Sequence, residues 1–229
     1  LYAPLKAPIL ITDIKSAEII KHASNSFMAT KISFINVVSR ICDAVGADIQ
    51  QVAAGMGMDP RIGKSFLKAG IGFGGFCFPK DLAAFLRMSE KLGISFDLLD
   101  AVLSANDSQK QYFVQKIENQ LWNLRGKTIG ILGLAFKGNT DDMRYAPSID
   151  IIQSLQKEGV KIQAYDPQAM PKARTLFKGV RFVRSAYQAV RKADAAALLT
   201  DWVEFSSLDY RKIKSLMKHP VFFDGRNLL

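Results

Sequence analysis

Apolar residues recur at three- and four-residue spacing through the first fifth of the chain, and Ile19, Ile20, Phe27, Ile32, Ile35, Val38 and Ile41 carry the pattern. That period belongs to an amphipathic helix. Asp13 and Ser16 are both suited to cap its start, because a short polar side chain accepts from the free N–H groups of a first turn. Gly46 suits its end. The pattern predicts one helix running to about Val45, longer than an ordinary globular helix of about 10–14 residues. Such a helix can serve as a spine or as a pairing surface. Further helical stretches are predicted near Ile49–Met56, Pro79–Leu92 and Leu98–Leu121, with a glycine-rich loop from Gly70 to Gly75 between the first two.

The period changes at Gly126. KTIGILGLAF reads as a continuous apolar strand, and VKIQAYDP, VRFV, ADAAALLT and PVFFDG follow as further strands. Helical stretches are predicted between them at about Ser148–Glu158, Ser185–Lys192 and Leu208–Met217. Short apolar strands alternating with helices predict a doubly wound parallel sheet. The expected class is therefore α/β: an all-helical unit with a long spine helix over 1–125, then a Rossmann-like unit over 126–229.

Charge narrows the partners. Lys and Arg total 31 against 21 Asp and Glu, a formal charge of +10, which suits an anionic partner or merely a solvated basic surface. No run of five basic residues and no nucleic-acid-binding motif occurs, so small phosphorylated molecules are favoured over nucleic acid. No apolar run approaches the roughly 18 residues that cross a bilayer, so no membrane partner is expected. Two cysteines are too few for a disulfide framework and fit a cytoplasmic protein. His22 and His219 lack partners at ligand spacing, and no metal site is expected. Cys42, among apolar neighbours on the long helix, is expected in the core.

Cys77 is the candidate nucleophile. It stands in GIGFGGFCFPKDLAAF, where Gly70, Gly72, Gly74 and Gly75 let the backbone approach a ligand closely. Pro79 suits the first position of the following helix. That placement puts Cys77 just before a helix N-terminus, with Lys80 nearby, and both features favour a thiolate. A buried cysteine beside a tight turn is the competing reading, and the flanking residues alone leave the two evenly matched.

GFGGFCFPKD closely resembles the GFGGSCFPKD motif of the UDP-glucose dehydrogenase family, with Phe76 where serine is commoner. SAEIIKHASNSFMATKISFIN, GLAFKGNTDDMRYAPSIDII and FDGRN resemble three further motifs of that family, in the family's order. The resemblance implies a two-step oxidation of the 6-hydroxymethyl group of UDP-glucose to a carboxylate, with two NAD molecules reduced in succession. The Cys77 thiolate would attack the intermediate aldehyde to give a thiohemiacetal, then a thioester that water hydrolyses. Lys21 and Asn25, spaced i, i+4, project from one helical face. By resemblance Lys21 stabilises the developing oxyanion, Asn25 holds the sugar, and Asp81 positions water or assists proton transfer. Unaided by the family motif, Lys21 reads as a solvated lysine. Asp81 reads as the third residue of its helix, pairing with the dipole.

Substrate-binding residues are carried over in the same way. Phe66, Lys68 and the loop through Gly74 resemble the segment that wraps the UDP-sugar. Arg61 matches an arginine often supplied by a neighbouring subunit, and Arg226 closes the site. Phe136 and Lys137 follow the first strand of the second unit, at the carboxyl edge where such sheets bind ligands. Lys80 and Arg144 are expected to touch NAD. Gly130 and Gly133 in GILGLAF are not a full dinucleotide fingerprint and by themselves say little.

The family also carries an N-terminal Rossmann domain of roughly 200 residues that binds most of the NAD. No GxGxxG strand–turn–helix occurs here. The chain therefore reads as a fragment, beginning LYAPLKAPILITD, inactive or nearly so by itself. It is expected to form at least a homodimer through the long helix. A sister enzyme acting on GDP-mannose or a UDP-N-acetylhexosamine, and a non-catalytic nucleotide-sugar-binding or dimerisation module, are the alternatives.

Overall fold

A computed structural model describes residues 7–229; the first six residues of the expected helical unit lie outside the described residues. Helix α1 (Ile14–Val45) begins where the Asp13 carboxylate accepts the Ser16 N–H at 3.0 Å, so Asp13 rather than Ser16 is the cap. It ends at Gly46, whose φ of 75° lies in the left-handed region that glycine tolerates. The apolar residues that announced α1 divide between two faces. Ile35 is fully buried and Ile32 and Val38 partly so, whereas Ile19, Ile20, Phe27 and Ile41 are exposed.

Helices α2 (Ile49–Gly57), α3 (Cys77–Lys91) and α4 (Asp97–Leu121) complete the helical part. α3 starts two residues earlier than its proline suggests. Phe76 takes helical angles as the cap residue, Cys77 is the first helical residue and Pro79 the third. A proline is tolerated there because first-turn N–H groups have no partner within the helix. Cys77 is thus inside the first turn rather than before it. Asp81 is the fifth residue, not the third, so its carboxylate is not a first-turn dipole partner.

Five strands follow, β1 (Thr128–Leu132), β2 (Lys161–Tyr165), β3 (Arg181–Phe182), β4 (Ala195–Leu198) and β5 (Phe222–Asp224), all parallel in the order β3-β2-β1-β4-β5. The order reverses between β1 and β4, which places a crevice outside the carboxyl ends of those two strands. The connecting helices are α5 (Pro147–Lys157), α6 (Met170–Leu176), α7 (Ala186–Val190), α8 (Val203–Ser206) and α9 (Tyr210–Leu216). β1 covers only the middle of the apolar KTIGILGLAF run. The remainder bends at Gly133, φ 91°, where a Cβ would stand 2.4 Å from Thr200 Cβ.

Asp166, just beyond β2 and fully buried, fixes the carboxyl edge of the sheet. Its carboxylate accepts from the N–H groups of Leu134, Ala135, Gln168 and Ala169 and from Trp202 Nε1, at 2.7–3.1 Å. Buried charge is tolerated when its lone pairs are filled in this way. α4 joins the two parts: Leu99 and Val102 pack with α1 and α3, while Phe113, Val114, Ile117 and Leu121 enter the core under the sheet.

Candidate active site

An i, i+4 pair of α1 meets Asp81 where α1 packs on α3. Lys21 and Asn25 share one face of α1, and Cys77 and Asp81 share one face of α3. Asn25 Nδ2 donates to Asp81 Oδ2 at 2.6 Å, and Lys21 Nζ stands 3.8 Å from the same oxygen. Lys80 Nζ makes an ion contact with Asp81 Oδ1 at 2.9 Å, without the alignment of a hydrogen bond. Asp81 is 1% exposed. Burial by itself would raise its pKa. Lys80, Asn25 and Lys21 outweigh that effect and hold the carboxyl below its ordinary value. His22 lies alongside, its Nδ1 3.3 Å from the Asp81 carbonyl oxygen. Cys77 is exposed at the start of the same helix, and Cys42 is buried.

Next to Cys77, the Phe76 ring carries two cations. Arg144 lies 4.4 Å from the ring centroid and Lys80 Nζ 5.2 Å. Asp142 grips Arg144 through both oxygens at 2.7–3.1 Å. That grip, together with the nearby Cys77 sulfur, raises the guanidinium pKa further. Phe76, Arg144 and Tyr145 border an open cavity of about 820 Å³.

A second cavity, of about 220 Å³, gathers most of the expected substrate-binding residues. Phe66, Lys68, Gly74, Phe136 and Arg226 all line it, joined by Asn36 and Asp201. Phe66 is held at a φ of 64°, an unusual angle for a side chain of its size. Lys68 Nζ lies 3.7 Å from Asp201 Oδ2. Burial would raise the Asp201 pKa, but Arg226, the Gly138 N–H and Lys68 bring it below its ordinary value. Arg226 is itself tied to carbonyl oxygens: Nε donates to Leu199 at 2.7 Å, Nη2 to Phe136 at 3.0 Å and Nη1 to Gly72 at 3.4 Å. Its burial lowers its pKa against the pull of Asp201 and Asp224. Lys137 Nζ sits 5.5 Å over the Phe136 ring and is not among the cavity residues. Arg61 does not join either cavity. Its exposed guanidinium folds back onto Asp59, with Nη2 2.6 Å from Oδ2.

Four polar side chains that the sequence reading passed over hold the glycine loop in place. Gly70 N–H donates to Asn36 Oδ1 at 2.8 Å, and Gln109 Nε2 donates to the Gly70 carbonyl at 2.8 Å. Asn106 grips both backbone groups of Phe73, at 2.7 and 3.2 Å, and Asn227 Nδ2 donates to the Ala69 carbonyl at 3.0 Å. The available signal was Asn36 one helical turn from Ile32 on the side of α1 that packs inward. A polar residue there must find a partner once buried. Gly75 N–H donates to the Arg144 carbonyl at 2.9 Å, which closes the loop against the second half of the chain.

A parallel sheet with its crevice at the carboxyl edge, and a helical unit presenting cations and an exposed cysteine, define an α/β protein of the nucleotide-binding type. Residues 15–108 match the central domain, and residues 130–229 the UDP binding domain, of the UDP-glucose/GDP-mannose dehydrogenase family. The chain belongs to that family. It is 48% identical over 229 residues to the UDP-glucose 6-dehydrogenase TuaD of Bacillus subtilis, covering all of this chain and 50% of that one. To YwqF of the same organism, also a UDP-glucose 6-dehydrogenase, it is 49% identical over 228 residues, covering 99% and 52%. A UDP-glucose dehydrogenase from Pyrobaculum islandicum superposes with a TM-score of 0.92 at 38% identity, covering 99% of this chain and 51% of that one. The chain thus spans about half the length of the curated relatives it matches.

Proposed function

We propose that this chain supplies the nucleophile and the sugar-nucleotide-binding half of an NAD-dependent UDP-glucose 6-dehydrogenase. The observation that carries the reading is the meeting of Lys21, Asn25 and the buried Asp81 on the helix that begins with Cys77.

In this reading the Phe66–Arg226 cavity takes the nucleotide sugar, with Lys68 and Arg226 facing the diphosphate. The sugar C6 is directed toward Cys77. There the exposed thiolate adds to the C6 aldehyde, forming the S–C bond as the carbonyl oxygen becomes an alkoxide. Lys21 faces that oxygen as a fixed cation. Asn25 is held by Asp81 and orients the sugar hydroxyls. Asp81 orders the water that releases the acid from the sulfur, and its lowered pKa keeps it ionised at neutral pH. Two NAD molecules, bound in succession, would each accept one of the two hydrides that the oxidation removes. Lys80 and Arg144, two exposed cations against an aromatic ring, fit the edge of an anionic dinucleotide. Lys137 and Arg61 belong to the substrate-binding set of this assignment, Arg61 toward a second copy of the chain.

The division at residues 125 and 126 is part of this proposal. Gly126, at φ 79°, turns the chain from α4 toward the sheet, although α4 serves both cores. A homodimer through α1 is supported by Ile20, Phe27, Phe34 and Ile41, spaced seven apart and 46–67% exposed. An apolar stripe of that period pairs helices. A cytoplasmic location completes the reading.

Calorimetry with UDP-glucose, GDP-mannose and a UDP-N-acetylhexosamine tests it. UDP-glucose is expected to bind most tightly, and Phe136→Ala and Lys68→Ala are each expected to weaken it by about tenfold. Preference for either other sugar nucleotide would assign the chain to a sister activity. Within the same reading, the 229 residues mixed with UDP-glucose and NAD are expected to give little or no NADH absorbance.

A further inference from the structure

The strand starts define a second charged place, at the sheet edge opposite the candidate site. An open cavity of about 890 Å³ is lined by five cations, Lys161, Arg181, Arg191, Lys192 and Lys218, and by no carboxylate. Because the strands are parallel, the first residues of β2 and β3, Lys161 and Arg181, lie on one edge. Arg191 and Lys192 follow α7, and Lys218 follows α9.

Asp194 is the nearby carboxylate, and it is already occupied. It accepts the Thr128 N–H at 2.7 Å, and Lys218 Nζ lies 3.4 Å from each of its oxygens. Among the described residues, the other four cations form no ion pair. Lys192 is also held at a φ of 57°, with its N–H donating to the Leu216 carbonyl at 2.8 Å. Cations past a helix C-terminus complement the dipole, which accounts for Arg191, Lys192 and Lys218. It does not account for Lys161 and Arg181, which begin strands.

We propose that this cavity binds a chain of two or more phosphates, either free or carried by a nucleotide. Several like charges converging on one concavity repel one another, and a multivalent anion offsets that repulsion where a single charge offsets little. Two guanidinium forks match phosphate oxygens in pairs. The lining contains no aromatic side chain, so nothing there stacks on a base. The phosphate chain, rather than a nucleobase or a single-stranded nucleic acid, is the part recognised.

Calorimetry on the full chain with sodium tripolyphosphate, ATP and adenosine, at about 50 mM salt to limit screening, tests the proposal. Tripolyphosphate and ATP are expected to bind with similar affinity, and adenosine not at all. Arg181→Ala with Arg191→Ala is expected to weaken both by about tenfold or more, leaving UDP-glucose binding unchanged. Lys161→Gln, a change at an exposed side chain, reads the same site should the double variant fold poorly. Absence of saturable tripolyphosphate binding would overturn the proposal, as would binding that survives these substitutions. A single-stranded oligonucleotide bound more tightly than tripolyphosphate at equal salt would assign the surface to nucleic acid instead.

Discussion

Asn25 on α1 donates to Asp81 on α3 across 2.6 Å, joining residues 56 positions apart in the chain. That bond ties α1 to α3 one helical turn from Lys21 on the first and one turn from Cys77 on the second. Its pH dependence follows from the depressed Asp81 pKa. A carboxyl whose pKa is lower in the folded chain adds stability above its unfolded value, here the ordinary 3.8, and loses it as pH falls through the folded value. Asp81→Asn is therefore expected to be less stable than the parent at neutral pH. The gap should narrow steadily below pH 3.8. Urea unfolding at several pH values measures this, and a gap of equal size at every pH would argue against the charge cluster.

Gly74 is where the glycine loop meets the second half of the chain. A Cβ there would stand 2.2 Å from the Tyr145 carbonyl oxygen and 2.9 Å from Pro147 Cδ, neither at the end of a flexible side chain. Gly74→Ala is expected to cost about 1–3 kcal/mol through overpacking. In a chain of this size that lowers the melting temperature by about 2–4 °C per kcal/mol. Gly55→Ala is the control, since no atom outside its own helix lies within 4 Å of its added methyl. It should leave the melting temperature level or raise it.

Much of this arrangement is legible in the amino-acid sequence. Asp13 and Gly46 marked α1, the change of period at Gly126 marked the start of the sheet, and the i, i+4 spacing of Lys21 and Asn25 put them on one face. What escaped depends on contacts between distant residues. α6 and α8 are too short to show a period, and Asp166 gathers donors from positions 134 to 202. The start of α3 was displaced because Phe76 adopts helical angles that Pro79 does not dictate. The cations of the 890 Å³ cavity are scattered from position 161 to 218, so no run of charge announces them.

Asn106 tests whether the loop is held rather than merely placed. It is buried and grips the Phe73 N–H and carbonyl together. Asn106→Ala leaves both groups without that partner, at an expected cost of about 1–3 kcal/mol. It should also weaken UDP-glucose binding, although Asn106 does not line the 220 Å³ cavity proposed for the substrate. Unchanged calorimetric affinity in a destabilised variant would mean that the loop keeps its shape without it.

The exposed stripe on α1 carries a prediction about assembly. Phe27 and Phe34 are 67% and 54% exposed in the single chain. Phe27→Asp with Phe34→Asp is expected to convert a dimer to monomer in sedimentation at micromolar concentration. The helical circular dichroism should stay intact. A parent chain that is already monomeric under those conditions would contradict the pairing.

The role proposed for Cys77 requires an accessible thiol, and that accessibility can be read directly. Cys77 is exposed and Cys42 buried, so iodoacetamide labelling followed by peptide mass analysis should modify Cys77 alone. Saturating UDP-glucose is expected to slow that labelling by about tenfold or more, while glucose has no effect. Alkylation of Cys77 at the same rate with and without UDP-glucose would separate the thiol from the sugar-nucleotide site and contradict the assignment.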